Sequence, residues 1–333
     1  MIRVALDAMG GDRAPRVVVE GAAWASREFD CQIILVGKER NIKKLLNKTD
    51  YNKQRISIRN ATEVIGMDEP AAKTVRSKKQ SSISVGIEML KEKEVDAFVS
   101  AGNTGAVVCA AALKLRTLPG IERPGIGILM PTLKGPCLII DVGANIDTTP
   151  EQLFQYGIMG TSYVKHILGV SKPTVGLLNI GQEESKGTVL LKTARKIFEK
   201  SNLNFVGNVE AKDFYLGKID VVVCEGFVGN ILLKVTESFA EASSKLLKIE
   251  LTKSLLPKIG AILSLSAFRA IRKKIDYSEH GGAPLLGVDG RVIIAHGSSN
   301  AKAIKNAVRA SIEYIKHKLN KHFIEELRKE NVY

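Results

Sequence analysis

The chain is poor in several things that whole functional classes require. Its four cysteines, Cys31, Cys109, Cys137 and Cys224, form no C-x-x-C pair, which leaves no sequence sign of a redox dithiol or a thiolate zinc cluster. Three of them sit inside apolar runs, so buried, reduced thiols and a reducing compartment are expected. Aromatic residues are 5% of the 333 positions, with one tryptophan, too few for a surface that stacks bases. No run of about 18 apolar residues is free of charge, so no membrane-spanning helix is expected. The opening reads directly as a strand and not as a secretory leader, which adds to the expectation of a cytoplasmic protein.

Motifs are missing as well. The chain holds no G-x-x-x-x-G-K-[ST] phosphate loop, no G-x-G-x-x-G after its first strand and no G-x-S-x-G elbow, so nucleotide, dinucleotide and serine-hydrolase sites lack support. No His, Cys and carboxylate cluster has metal-ligand spacing, and no metal or cofactor is expected. Acidic charge is also in deficit, with 35 Asp and Glu against 49 Lys and Arg and a formal net charge of +14. Such a balance favours an acidic partner, whether nucleic acid, anionic lipid, acidic carrier protein or phosphorylated small molecule, or else a solvated basic surface.

What is present is a succession of apolar, strand-like runs. Ile2, Val4 and Leu6 alternate with Arg3 and Ala5, and further runs fall at 33–36, 97–100, 126–130, 138–142, 175–178, 205–207, 221–224 and 292–295. Several are unbroken Val, Ile and Leu, as in strands buried on both faces. Helical patterns lie between them, for example at 15–27, 83–92, 105–113 and 151–168. This alternation predicts an α/β sandwich around a largely parallel sheet.

Five polar, glycine-containing turns punctuate the strands: DAMGGD at 7–12, SAGNTGA at 100–106, DVGAN at 141–145, EGFVGN at 225–230 and HGGAPLLG at 280–287. Ligands of open α/β sheets bind at the carboxyl ends of strands, so such loops gathered on one edge would form one polar crevice. Each alone is equally a tight turn. Gly10 and Gly11 lack a Cβ and let backbone N–H groups approach an anion. Asn103, Thr104, Asn145 and Asn230 offer amides and a hydroxyl to anionic oxygens or a polarised carbonyl. Lys186, in NIGQEESKG, suits charge neutralisation of a phosphate or a solvated surface. His280, beside a Gly-Gly turn, suits acid–base work, phosphate donation or capping. A chain without nucleophile or metal motif fits a reaction in which a substrate phosphate itself attacks an activated acyl group.

Seven blocks in order carry a family resemblance: DAMGGD-x-AP, VRSKKQSSI, VSAGNTGA, DVGAN-x-D-x-x-P, GLLNIG-x-E-x-x-KG, VVVCEGFVGN-x-x-LK and HGGAPLLGV-x-G. Together they resemble the bacterial phosphate acyltransferases of phospholipid synthesis, from about residue 2 to about residue 310. Two positions depart from that pattern: Gln182 stands where an acidic residue is usual, and Ala211 where glycine is usual. The resemblance implies transfer of a long-chain acyl group from acyl carrier protein to inorganic phosphate, with the acyl phosphate passing to a glycerol-3-phosphate acyltransferase. It implies a fold like the isocitrate and isopropylmalate dehydrogenases, and a cytoplasmic homodimer peripheral to the membrane.

Two helical stretches stand apart. Residues 237–275 form one broken at Pro257 and Gly260, with Leu255, Leu256, Ile259, Ile262, Leu263 and Leu265 beside Lys253, Lys258, Arg269, Arg272, Lys273 and Lys274. With the resemblance in view, this is a protruding helical hairpin whose apolar tip suits an anionic bilayer surface, a dimer interface or both. At 299–329, Ile304, Val308, Ile312, Ile315, Leu319, Phe323 and Leu327 mark one stripe on a long basic helix.

The expectation is therefore one α/β/α domain over residues 1–333, a three-layer sandwich. Asp7, Gly10, Gly11, Asn103, Thr104, Gly105, Asn145, Gly229, Gly281 and Gly282 are expected to bind substrate or order its loops, and Lys186, Asn230 and His280 to assist the chemistry. A phosphotransacylase using acyl-CoA is the nearest alternative. A basic nucleic-acid-binding protein is the alternative of another class, opposed by the few aromatics.

Overall fold

The computed structural model describes residues 1–275 and 281–332. Its strands are β1 (Ile2–Asp7), β2 (Cys31–Gly37), β3 (Ile56–Asn60), β4 (Ala97–Ser100), β5 (Gly125–Pro131), β6 (Pro136–Ile140), β7 (Val175–Leu178), β8 (Phe205–Val209), β9 (Val221–Val223), β10 (Ala283–Leu286) and β11 (Val292–Ile294). The helices are α1 (Arg16–Glu28), α2 (Glu39–Leu46), α3 (Ala71–Ser77), α4 (Ser82–Lys91), α5 (Thr104–Leu115), α6 (Pro150–Tyr163), α7 (Val189–Glu199), α8 (Ala211–Tyr215), α9 (Gly226–Thr252), α10 (Leu255–Leu263), α11 (Leu265–Ile275), α12 (Ala301–Lys316) and α13 (Leu319–Lys329), with a π-helical turn, Val164–Leu168, extending α6.

All eleven strands join one sheet in the order β3-β2-β1-β4-β11-β10-β5-β6-β9-β7-β8. Neighbours are parallel except at the centre, where β10 runs against both β11 and β5, and β5 runs against β6. The sheet is thus mostly parallel, as predicted, but in two halves of opposite direction. Strands β1–β4 and β11 point one way, and β6–β9 the other.

Residues of alternate parity feed two separate apolar clusters. Val4, Leu6, Leu138, Ile140, Val221 and Val223 join one, with Ala22 of α1, Tyr156 of α6, Ile304 and Val308 of α12 and Phe323 of α13. Ala5, Cys137, Ile139 and Val222 join the other, with Val75 of α3, Ile87 of α4, Ala110 of α5 and Phe214 of α8. Each fully buried aliphatic side chain contributes about 1.5–3 kcal/mol relative to exposure.

Several local expectations change. The single helix predicted at 299–329 is two, because Lys318 takes left-handed geometry (φ 48°) between α12 and α13. The apolar stripe survives the break, since Ile304, Val308 and Ile312 lie in the same cluster as Leu319, Phe323 and Leu327. Buried Asn320 anchors the second helix, donating to the carbonyls of Val288 and Gly290 and accepting from Tyr314 Oη. Pro257 and Gly260 do not interrupt the chain where expected. Pro257 sits in the first turn of α10, where a missing N–H costs nothing, and the breaks fall at Ser254 and Ser264. The half-buried strand β3 and the strand β10 were not predicted.

Candidate active site

The five loops do not share one edge of the sheet. Because the halves run in opposite directions, DAMGGD and SAGNTGA leave one edge and DVGAN and EGFVGN the other. Two of the presumed turns are regular structure. Gly226–Asn230 is the start of α9, and Ala283–Leu286 is the buried strand β10. Residues of SAGNTGA, DVGAN, EGFVGN and HGGAPLLG meet instead across a face of the central antiparallel strands, and none of residues 7–12 is among those lining that space.

In the first half, Asp7 ends β1 fully enclosed. It accepts from Ser100 Oγ (2.7 Å) and Met9 N (3.0 Å), and Ser100 Oγ accepts from Gly102 N (3.0 Å). Burial pushes its carboxyl pKa up, against the pull of Ser82, Ser100 and the Met9 and Gly10 N–H groups. Gly10 is needed because a Cβ there would lie 2.5 Å from both Asp7 Oδ2 and Gly102 N. Gly11, at φ 102°, lies against the Gly297 carbonyl, which accepts from Asp12 N. The glycine pair brings the backbone close to neighbouring loops of the protein itself.

Asn103 caps α5, its Oδ1 accepting from Ala106 N (3.0 Å), while its Nδ2 donates to the carbonyls of Gly66, Met67 and Glu69. Its amide is occupied in holding residues 66–69. The cap leaves the N–H groups of Thr104 and Gly105 without intrahelical acceptors, and both residues are exposed. An N-terminus of this kind attracts anions.

In the second half, Asp141 organises DVGAN, a role not read from the sequence. It is 0% exposed. Its Oδ1 accepts from the backbone N–H groups of Ile126 (2.9 Å), Gly143 (3.0 Å) and Ala144 (2.9 Å), and its Oδ2 from Asn145 N (2.8 Å). Burial pushes its carboxyl pKa up while those donors pull it down. Asn145 donates to the Pro124 carbonyl (2.6 Å) and Tyr156 Oη (2.8 Å), so it orders the loop. Helix α9 then packs on DVGAN: a Cβ on Gly226 would lie 2.3 Å from the Asn145 carbonyl oxygen, and one on Gly229 1.9 Å from that of Asp141.

Between the halves lies a cavity of about 420 Å³. Thr104 and Gly105 of α5 line it from one side, Gly143 and the exposed Asn230 from the other, and Gly282 from the start of β10. Its apolar lining includes Ile126, Ile128, Leu129, Met130, Val142, Leu233 and Ile294. Among the described residues, the titratable side chains Lys234, Glu237 and His296 also line it. Lys234 Nζ lies 2.9 Å from Glu237 Oε2 and 3.4 Å from His296 Nε2. His296, just past β11, was overlooked because HGSSN reads as the approach to a helix cap, a role that Asn300 fills.

Other predicted residues fall elsewhere. Lys186 is exposed in the loop after β7 and is not among the cavity-lining residues. Gly281, at φ 83°, packs against the Asn306 carbonyl. His280 lies outside the described residues. Leu255, Leu256, Ile259, Ile262, Leu263 and Leu265 are exposed, and α10 buries no residue. Gln182 donates to Asp213 Oδ2 (2.8 Å), a bond an ionised acid there could not make. Among the described residues no helix is long and apolar enough to cross a membrane, and no group of three His, Cys, Asp or Glu side chains is placed to hold a metal.

Comparison with known proteins gives this geometry a context. Residues 2–322 match the family described as "Fatty acid synthesis protein". A phosphate acyltransferase of Geotalea daltonii is 48% identical over 327 residues, spanning 98% of this chain and 94% of its own. One from Desulfitobacterium hafniense (strain Y51) is 49% identical, spanning 99% and 97%. Among solved structures, a phosphotransacetylase from Streptococcus pyogenes superposes with a TM-score of 0.64 at 18% identity, over 95% of this chain and 94% of its own. A 4-hydroxythreonine-4-phosphate dehydrogenase from Klebsiella pneumoniae does so at 0.53 and 11% identity, over 93% and 98%. The two structural likenesses establish a shared fold.

Proposed function

The chain belongs to the phosphate acyltransferase family and is a transferase, and from that premise we propose that it moves a long-chain acyl group from the thioester of acyl carrier protein to inorganic phosphate. The acyl phosphate would serve a glycerol-3-phosphate acyltransferase on the way to phosphatidic acid. The observation that carries this reading is the cavity itself. Its apolar wall from Ile126 to Met130 suits an acyl chain, and the start of α5 with Lys234 suits a phosphate.

In this reading a phosphate oxygen attacks the thioester carbonyl. The N–H groups of Thr104 and Gly105 hold anionic oxygen, and the Asn230 amide donates to the developing oxyanion. Orientation of two bound reactants supplies much of the rate. Lys186 and His280 remain proposed aids to phosphate binding or proton transfer. The exposed leucines and isoleucines of α10, near Lys253 and Lys258, support contact with an anionic membrane surface by a cytoplasmic homodimer. The two apolar clusters support a three-layer α/β/α arrangement with α9–α11 as its protruding hairpin.

The test is acyl-phosphate formation from palmitoyl-carrier and phosphate, beside palmitoyl-CoA at equal concentration. The carrier thioester is expected to react faster, since a basic surface favours an acidic carrier. Absence of phosphate-dependent thioester loss with either donor would refute the reading. So would full turnover by both Asn230→Ala and Lys186→Ala at saturating substrate.

A further inference from the structure

Inorganic phosphate near neutral pH is a dianion that still carries one proton, HPO4²⁻. A site built for it needs donors for the anionic oxygens and one acceptor for the O–H. The cavity is lined by side chains of both kinds, Lys234 and His296 as donors and Glu237 as acceptor.

The backbone N–H of Ser298 donates to His296 Nδ1 (3.2 Å), and Ser298 Oγ lies 2.7 Å from the same nitrogen. Nδ1 is therefore the acceptor, and the neutral ring carries its proton on Nε2. That Nε2–H faces Lys234 Nζ at 3.4 Å and Glu237 Oε2 at 3.7 Å. Two N–H donors side by side cannot bond to each other, and an anionic oxygen placed between them satisfies both. Glu237 Oε2 lies 2.9 Å from Lys234 Nζ, one turn along α9. The first residues of α5, Thr104 and Gly105, line the same cavity. The histidine loop is held from the far side: Arg13 donates to the carbonyls of Ser298 (2.8 Å) and Ser299 (3.1 Å), and Asp12 N to that of Gly297 (2.9 Å). Residues just beyond the glycine pair thus fix the position of the imidazole.

A carboxylate at an anion site repels a fully ionised oxyanion. It becomes favourable where the anion brings a proton for it to accept. It then rejects an anion without that proton, because the repulsion stays and the bond is missing. We propose that Glu237 selects phosphate by accepting its O–H, while Lys234 Nζ, His296 Nε2–H and the first N–H groups of α5 hold the anionic oxygens. This rests on the acyl-phosphate reading above and deepens it, since it names the residue that tells phosphate from sulfate.

The experiment measures equilibrium binding of radiolabelled phosphate to the full-length protein near neutral pH, with unlabelled phosphate, sulfate and fluorophosphate as competitors. Sulfate and fluorophosphate (FPO3²⁻) match the charge and nearly the shape of HPO4²⁻ but carry no O–H. Both are expected to compete at least about tenfold more weakly than phosphate. Glu237→Gln offers the anion an NH2 group and removes the repulsion, so the three anions should then compete within about threefold of one another. Lys234→Ala is expected to weaken phosphate binding at least about fivefold while the preference for phosphate over sulfate persists. Wild-type protein that binds no labelled phosphate, or binds sulfate or fluorophosphate as tightly as phosphate, overturns the proposal without recourse to any variant. A Glu237→Gln protein that keeps the wild-type preference overturns it too, as does Lys234→Ala with unchanged phosphate affinity. Acyl-phosphate formation by a protein indifferent among the three anions leaves the proposed function standing and refutes this proposal alone. Selective phosphate binding by a protein that makes no acyl phosphate from either thioester refutes the proposed function alone.

Discussion

Replacing Asp141 by Asn tests the reasoning about the DVGAN loop at almost constant volume. Both carboxylate oxygens face N–H donors: Oδ1 those of Ile126, Gly143 and Ala144, and Oδ2 those of Ala144, Asn145 and the Asn145 side chain. Neither oxygen can become an NH2 group without setting donor against donor. In the better orientation, the new NH2 replaces Oδ2, Ala144 N–H keeps its bond to Oδ1, and the bonds from Asn145 N and Nδ2 are lost. A hydrogen bond to a charged group contributes about 1.5–3 kcal/mol, and an orphaned buried donor costs a similar amount. The expected destabilisation is therefore about 3–5 kcal/mol, at the upper end for single substitutions. Urea unfolding should show this as a lower midpoint at unchanged slope. The positions of Gly143 and Asn230 at the cavity depend on the same loop, so acyl transfer to phosphate should fall with stability. An Asp141→Asn protein within about 1 kcal/mol of wild type would refute the claim that an ionised carboxylate organises this loop.

Asn103→Ala removes a helix cap worth about 1 kcal/mol and three bonds to residues 66–69. Amide exchange should accelerate at 66–70, and unchanged exchange there would contradict the clamp. Asn103→Asp should keep the cap yet still loosen that segment. Glu28 of α1 meets Lys305 of α12 at 2.8 Å, and this bond holds its carboxyl pKa below the usual value. A depressed folded pKa means the contribution is present at neutral pH and lost as pH falls through that folded value. Glu28→Gln should therefore cost about 0.5 kcal/mol at pH 7, and the gap should close in acid. A gap that persists or widens below pH 3 would reverse the assigned sign.

Much of this protein was legible in order along the chain. Apolar runs such as those at 97–100 and 221–224 marked buried strands, because a strand covered on both faces needs apolar residues at successive positions. The seven blocks marked the family because each combines loop glycines with particular amides and charges at set spacing. The stripe from Ile304 to Leu327 was read correctly as a buried face, but not its break. Left-handed Lys318 carries no glycine or proline signal and follows from where Asn320 must reach.

The sequence by itself determined the α/β class, the apolar cores, the loop chemistry and the family. Only the tertiary structure decided which loops face one another. The reversal is completed by β10 pairing with β5, which joins residues more than a hundred positions apart, such as Leu285 with Ile126, and local pattern is blind to that pairing. That reversal sends DVGAN and EGFVGN to the edge opposite DAMGGD and SAGNTGA. It places the cavity over the sheet's centre, leaves Lys186 off its lining and brings His296 beside Lys234 and Glu237. Asn103 and Gly10 were chosen for their chemistry, and packing has committed both to the protein's own backbone.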